Sequence, residues 1–312
     1  MIILKKIDQI ISNLNLKLLG DKPGLRTFLF HNFYHKNNPE ALEYIDPQPA
    51  VSIETLERFI DFLLEKDYQF VTPSDIISGL DEKKYVLLTY DDGYFNNVLT
   101  LPILRKFDVP ATIFTSSDHI IEQKSFWWDS LARQNAQKLD LSLLKRYTNS
   151  KIEESVIKEY GLKALQPQTD YDRPFTKSEL IDFLEEPLIN AGNHTANHAI
   201  LTNYNSDSIE EEISKCQNFL KEITGENPII ISYPNGNFND EIVDISKSLG
   251  LKLGITTIQM NNKLPIDSKS NQILKLNRFA YDPRLDFTRQ VNSFRSTLHI
   301  RALVKKKIKE VI

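Results

Sequence analysis

Short apolar runs alternate with amphipathic helical stretches along most of this chain, and that alternation restricts the fold more than any other feature. Residues 27–31, 85–89, 111–115, 188–191, 229–233 and 252–256 read as strands. Their near-continuous apolar character suits strands covered on both faces. Between them lie helical patterns. Ile53, Leu56, Phe59, Ile60, Leu63 and Leu64 line one face of a helix opened by Ser52, whose hydroxyl can accept an otherwise unpaired backbone N–H. Ser208 and Glu211 read as a capping box opening a helix over 208–223 that stops at Gly225. A further helix is expected over 239–249, ending at Gly250. Strands separated by helices run parallel, because the crossover helix carries the chain back to the edge it left. About seven such units in 312 residues predict one α/β domain, a closed or nearly closed barrel. In such a barrel the functional groups sit at the C-terminal ends of strands.

The stretch over 118–183 is too long for an ordinary connection and carries helical patches over 128–138 and 141–160. It reads as an insertion that covers the barrel mouth. Terminal helices are expected over 1–22 and 286–312. In the first, Ile3, Ile7, Ile10, Ile11, Leu14 and Leu18 recur at helical spacing, and Lys305, Lys306, Lys307 and Lys309 cluster in the second. Both helices are expected to dock on the core through their apolar faces, with peripheral contact at a membrane surface as the other reading. No stretch is long and apolar enough to span a bilayer, and no secretory signal pattern is visible, so a cytoplasmic location is expected. A formal charge of −4 provides no basic footprint for nucleic acid. The lone Cys216 shares a helix face with Ile209, Ile213, Leu220 and Ile223, which marks it as core. Nothing in the sequence indicates an oligomeric state.

Two segments carry the chemistry. Thr89-Tyr90-Asp91-Asp92-Gly93 places adjacent carboxylates where a strand ends, although Asp-Asp-Gly alone is an ordinary turn. His194-Thr195-Ala196-Asn197-His198 sets two imidazoles four residues apart, a spacing that presents both on one side of a helical turn. Either segment alone could be structural. Together, one aspartate and two histidines make a metal site with coordination positions left open, and the second aspartate stands ready as a base.

These segments resemble the first two motifs of the polysaccharide deacetylases, the NodB-homology or carbohydrate esterase 4 group, and the similarity extends loosely over 27–281, the insertion excluded. The resemblance implies a distorted (β/α)7 barrel and a divalent metal, zinc first, with cobalt, nickel or manganese as alternatives. It implies Asp91 as general base and Asp92, His194 and His198 as metal ligands. Ser232-Tyr233-Pro234-Asn235-Gly236 resembles the family's Arg-Pro-Pro-Tyr-Gly segment, which makes the Asn235 N–H a candidate oxyanion donor. A serine replaces the arginine that orients the base in many relatives. Arg278, near the end of a late strand, is a candidate substitute, weighed equally against a structural ion pair. The family's late-strand histidine acid has no clear counterpart, since Leu298-His299 reads as part of the terminal helix. His31 is the candidate acid instead, because the first and last strands of a closed barrel are neighbours. Phe126-Trp127-Trp128-Asp129 resembles a run in members with a similar insertion; core filling outweighs sugar stacking there. Tyr94 and Asn197 are expected to shape the acyl pocket. The implied activity removes an N-acyl group, most simply acetyl, from an amino sugar in a polysaccharide or in a lipid-linked or nucleotide-linked precursor. A deformylase, a hydrolase of non-sugar amides and a catalytically silent carbohydrate-binding protein are the alternatives.

Overall fold

Seven parallel strands follow one another around a curled sheet: β1 (Gly24–Phe30), β2 (Lys84–Tyr90), β3 (Ala111–Thr115), β4 (Ile189–Asn193), β5 (Ile230–Ser232), β6 (Leu253–Ile255) and β7 (Phe279–Ala280). The computed structural model describes residues 2–46, 50–134, 140–267, 270–300 and 302–303. Within them the strand order is β7-β1-β2-β3-β4-β5-β6, and a short strand, Gln69–Phe70, also pairs with β2. Phe28 lies opposite Phe279, so the first and last strands are neighbours. The ring is joined on the other side by Leu276, whose N–H donates to Gly254 at 2.8 Å and whose carbonyl accepts from Thr256 at 2.8 Å. This is the distorted (β/α)7 barrel that the alternation and the resemblance led us to expect.

Alternate side chains of β2 enter different apolar clusters, as the two-residue period of a strand requires. Val86 and Leu88 pack with Leu56, Phe59 and Leu63 of the helix Ile53–Leu64, while Tyr85 and Leu87 join Ile230, Ile255 and Ile213. Both faces of the strand are therefore covered. Gly192 in β4 is needed for close approach, because a Cβ there would meet the Phe114 ring at 2.5 Å. Ser52 caps its helix by accepting the Thr55 N–H at 3.2 Å. Cys216 is buried.

Several boundaries differ from the expected ones. The helix Ser206–Thr224 starts before Ser208, because Asn205 takes the cap position and accepts the Ser208 N–H at 2.9 Å. The inserted region folds as the helices Trp127–Arg133, Leu141–Leu144 and Asn149–Tyr160 around its own cluster of Trp127, Leu131, Leu144, Ile152 and Val156. Lys138, at the end of one expected patch, lies outside the described residues. His299 lies beyond the helix Phe287–Arg295, not within it, and its ring packs against Phe279.

The N-terminal helix, Ile2–Leu19, docks the opposite way from the expected one. Its polar residues face the protein: Ser12 donates to the Leu298 carbonyl at 2.7 Å, Asn13 to that of Arg289 at 3.0 Å, and Asn15 accepts from Ser296 at 2.8 Å. Backbone carbonyls on the C-terminal segment need donors more than that surface needs apolar cover. Ile7, Ile10, Leu14 and Leu18 are left exposed. The Ile3 side chain and Lys305, Lys306, Lys307 and Lys309 lie outside what the structure describes. No described helix is long and apolar enough to cross a membrane.

Candidate active site

The C-terminal ends of β2 and β4 deliver the acidic and basic groups to one place. Asp91 continues β2, its N–H donating to the Phe30 carbonyl at 2.9 Å. Asp92 and Gly93 then adopt left-handed conformations, φ 77° and 80°, which turn the chain at once; aspartate tolerates this region better than most residues. His194 follows β4. The segment after it is not the helical turn expected from the spacing: Thr195 and His198 are left-handed, φ 65° and 47°. Local bonds hold this irregular loop, with Asn193 Oδ1 accepting the Thr195 N–H at 2.8 Å and Thr195 Oγ1 accepting the Ala199 N–H at 2.7 Å. The two imidazole rings still lie 4.8 Å apart.

Asp92 Oδ1 is 3.4 Å from Nε2 of His194 and 3.4 Å from Nε2 of His198. It is buried and makes no hydrogen bond, so neither contact satisfies it. His194 Nδ1 lies 2.7 Å from the Ser232 carbonyl. A carbonyl only accepts, so Nδ1 carries a proton, and in the neutral ring Nε2 turns a lone pair toward Asp92. Burial alone would lower the pKa of His194, but the Asp91 and Asp92 carboxylates hold it above its ordinary value. Burial and the neighbouring His194 push His198 well below. One ligand atom from each of Asp92, His194 and His198 lies within 4.8 Å of the others, a grouping able to hold a cation.

Asp91 is gripped from the far side of the barrel. Arg278 donates to its two oxygens at 2.6 and 2.8 Å, and the same guanidinium donates to Thr89 Oγ1 at 3.1 Å and Ser232 Oγ at 2.9 Å. Burial would raise the Asp91 carboxyl, but Arg278 and His194 outweigh it and hold the group below the usual carboxylate range. Ser232 hence supports the arginine that enters from beside β7. His31 and Asn235 line the same cavity of about 400 Å³ as Asp91, Asp92, His194, His198 and Arg278. Asn235 is left-handed, φ 58°, and its side-chain oxygen accepts from Lys145 at 3.1 Å.

The polysaccharide deacetylase family model matches residues 79–254, more than half of the chain. The chain belongs to the polysaccharide deacetylase family. It is 22% identical over 207 residues to YxkH of Bacillus subtilis, a protein provisionally named as a polysaccharide deacetylase, and spans 56% of that relative's length. In fold it is similar to the deacetylase PplD of Streptococcus pyogenes, with a TM-score of 0.60, 20% identity and coverage of 87% of this chain and 99% of that one. It is likewise similar to IcaB from Ammonifex degensii, with a TM-score of 0.58, 15% identity and coverage of 88% and 98%. His31 and Arg278 both fall outside the matched residues.

In this member of the family the inserted region forms one wall of the cavity through Trp127, Trp128 and Lys145. Trp128 meets the His198 ring edge-on with centroids 4.6 Å apart. Its indole N–H donates to the Tyr94 hydroxyl at 2.9 Å, and that hydroxyl donates to the buried Asp129. Tyr94 therefore stands behind the wall, and neither it nor Asn197 lines the cavity as expected. Asp129 was not among the expected site residues. A carboxylate directly after Phe-Trp-Trp was the available signal, because an acid inside an aromatic run needs donors. Burial pushes its pKa up to about 8.

Glu212 braces the histidine loop from behind, its carboxylate accepting the Asn197 N–H at 2.9 Å. Burial raises its pKa to about 7. The folded state thus binds a proton that the unfolded state has lost between about pH 4.5 and 7, so this residue's contribution to stability declines as pH rises through that window. Glu212→Gln keeps an acceptor and removes the buried charge. Thermal melts are expected to show the variant more stable than wild type at pH 8, on the order of 1–3 kcal/mol, with the gain nearly absent at pH 5. An equal effect at both values contradicts this account.

Proposed function

We propose that this chain hydrolyses the N-acetyl group of an amino sugar in a bacterial polysaccharide or glycan precursor, with a divalent cation held by Asp92, His194 and His198. The observation that carries this reading is the buried, unsatisfied Asp92 Oδ1 facing two imidazole nitrogens at 3.4 Å. A tetrahedron with ligand bonds of ~2.1 Å has edges of about 3.4 Å, so the donor set fits such an ion, zinc first. When bound, the cation polarises the acyl carbonyl and makes a neighbouring water more acidic.

The chain's own residues divide the remaining work. Asp91, kept ionised by Arg278, takes the proton from the attacking water. The His194 Nδ1–H on the Ser232 carbonyl fixes that ring so that Nε2 remains a ligand. The Asn235 N–H is assigned to the oxyanion that develops as the water adds to the carbonyl. His31 is assigned to protonate the amine nitrogen as the C–N bond breaks, which releases acetate and a free amino sugar. A sugar suits the mixed cavity wall, where Trp127, Leu141 and Ile152 offer apolar surface beside Lys145, Asn149 and Asp46.

Acetate release from acetylated amino-sugar oligomers tests the reading. A chelator is expected to remove activity and an added divalent metal to restore it. His194→Ala is expected to weaken cation affinity by more than about a hundredfold, beyond the loss seen for residues that merely support a ligand. A chelated enzyme that keeps full activity overturns the proposal.

A further inference from the structure

The N-terminal helix turns its apolar stripe away from the protein. Ile7, Ile10, Leu14 and Leu18 follow one another at spacings of three, four and four residues, and their exposures run from 47% to 82%. Ser12, which binds the Leu298 carbonyl, lies on the opposite side of the helix. The chain that follows Leu298 adds Ile300 and Leu303, each 40% exposed, close to the docked helix. Exposed Lys6 and Lys17 each precede a stripe residue and run along one border of the stripe.

Charge is segregated along the sequence as well. Residues 1–20 and 289–312 together hold ten of the 38 Lys and Arg residues but only two of the 42 Asp and Glu, a net of +8. The remainder of the chain carries −12 against an overall −4. An exposed amphipathic helix with lysines at its border has the composition of a helix that lies in the plane of an anionic bilayer surface. A second copy fits less well, because a two-fold contact would bring two net-positive helices together.

We propose that the exposed face of the helix Ile2–Leu19 docks this protein onto anionic lipid surfaces. The apolar stripe enters the headgroup boundary while the basic residues attract the lipid charge. This inference is independent of the deacetylase reading.

Co-sedimentation of the full chain with vesicles tests it, using phosphatidylcholine alone and phosphatidylcholine with a third phosphatidylglycerol. Wild type is expected to bind the anionic vesicles at least about tenfold better than the neutral ones, and to lose that preference in about 0.5 M salt. The double variant I10D/L14D is expected to lose at least about tenfold in binding. Its melting temperature stays close to that of wild type, because both side chains are exposed. The double variant K6E/K17E is expected to lose the anionic preference. Three results overturn the proposal: no binding to either vesicle, binding unchanged in I10D/L14D, or a dimer by light scattering that I10D/L14D dissociates.

Discussion

Arg278→Leu is expected to cost about 3–5 kcal/mol of stability and to move the acid limb of the activity profile to higher pH. The bidentate contact with Asp91 is buried on both sides, with the arginine 1% and the aspartate 3% exposed. Removing the guanidinium leaves a carboxylate that has lost its strongest partner and remains out of water. Burial, the largest influence on Asp91 and one that raises its pKa, then outweighs what still opposes it, chiefly His194. In wild type the depressed pKa contributes stability above the unfolded value, and that contribution is lost as pH falls through the folded one. In the variant the sign reverses, because the fold now favours the protonated acid and ionisation at neutral pH costs stability. Arg278→Lys is expected to fall between the two, since an ammonium keeps the charge but cannot grip both oxygens in one plane. Thermal melts and a rate profile from pH 4 to 9 check this. A Leu variant with the wild-type profile and melting temperature removes Arg278 from the account of the base.

The route by which Arg278 reaches Asp91 shows what could be read in advance and what could not. A general rule places Asp91, Asp92 and His194, since each comes just after a stretch that reads as a strand and strand ends in a parallel barrel converge on one mouth. The pairing of the first and last strands was also foreseeable, because a barrel must close. The bidentate contact itself was not. It depends on Phe28 meeting Phe279 in register and on the small Ser232 side chain lying beside the guanidinium, and neither register nor that juxtaposition is written in local pattern. The left-handed residues Thr195 and His198 escaped notice for a similar reason. A spacing of four is compatible with a helical turn, and only the pairing of the loop with Glu212 and Asn193 selects the irregular path. The terminal helix illustrates the sharpest limit. Periodicity shows that a helix has two unlike faces, but which face turns inward is decided by the surface that receives it, and here that surface offers carbonyl oxygens.

Asp91→Asn separates proton transfer from cation binding at this site. The amide has nearly the shape of the carboxylate but no basicity at neutral pH, so turnover is expected to fall by roughly 10²–10⁴ if Asp91 is the base. Asp92, His194 and His198 are untouched, and the stoichiometry of bound divalent cation should stay near that of wild type. The variant is also expected to lose stability, because Arg278 keeps its buried charge without a counter-charge, and an amide nitrogen facing a guanidinium sets donor against donor. Melting and activity must therefore be measured together, with activity taken well below the midpoint of unfolding. Ser232→Ala is the matched control: it removes the 2.9 Å contact to Arg278 and the 3.3 Å contact to Asp91 but leaves both charges in place. Its loss of turnover is expected to be at most about tenfold, since a neutral hydroxyl supports the pair without carrying the proton. If Asp91→Asn retains turnover within tenfold of wild type while binding its cation normally, another group takes the proton and Asp91 serves only to hold Arg278.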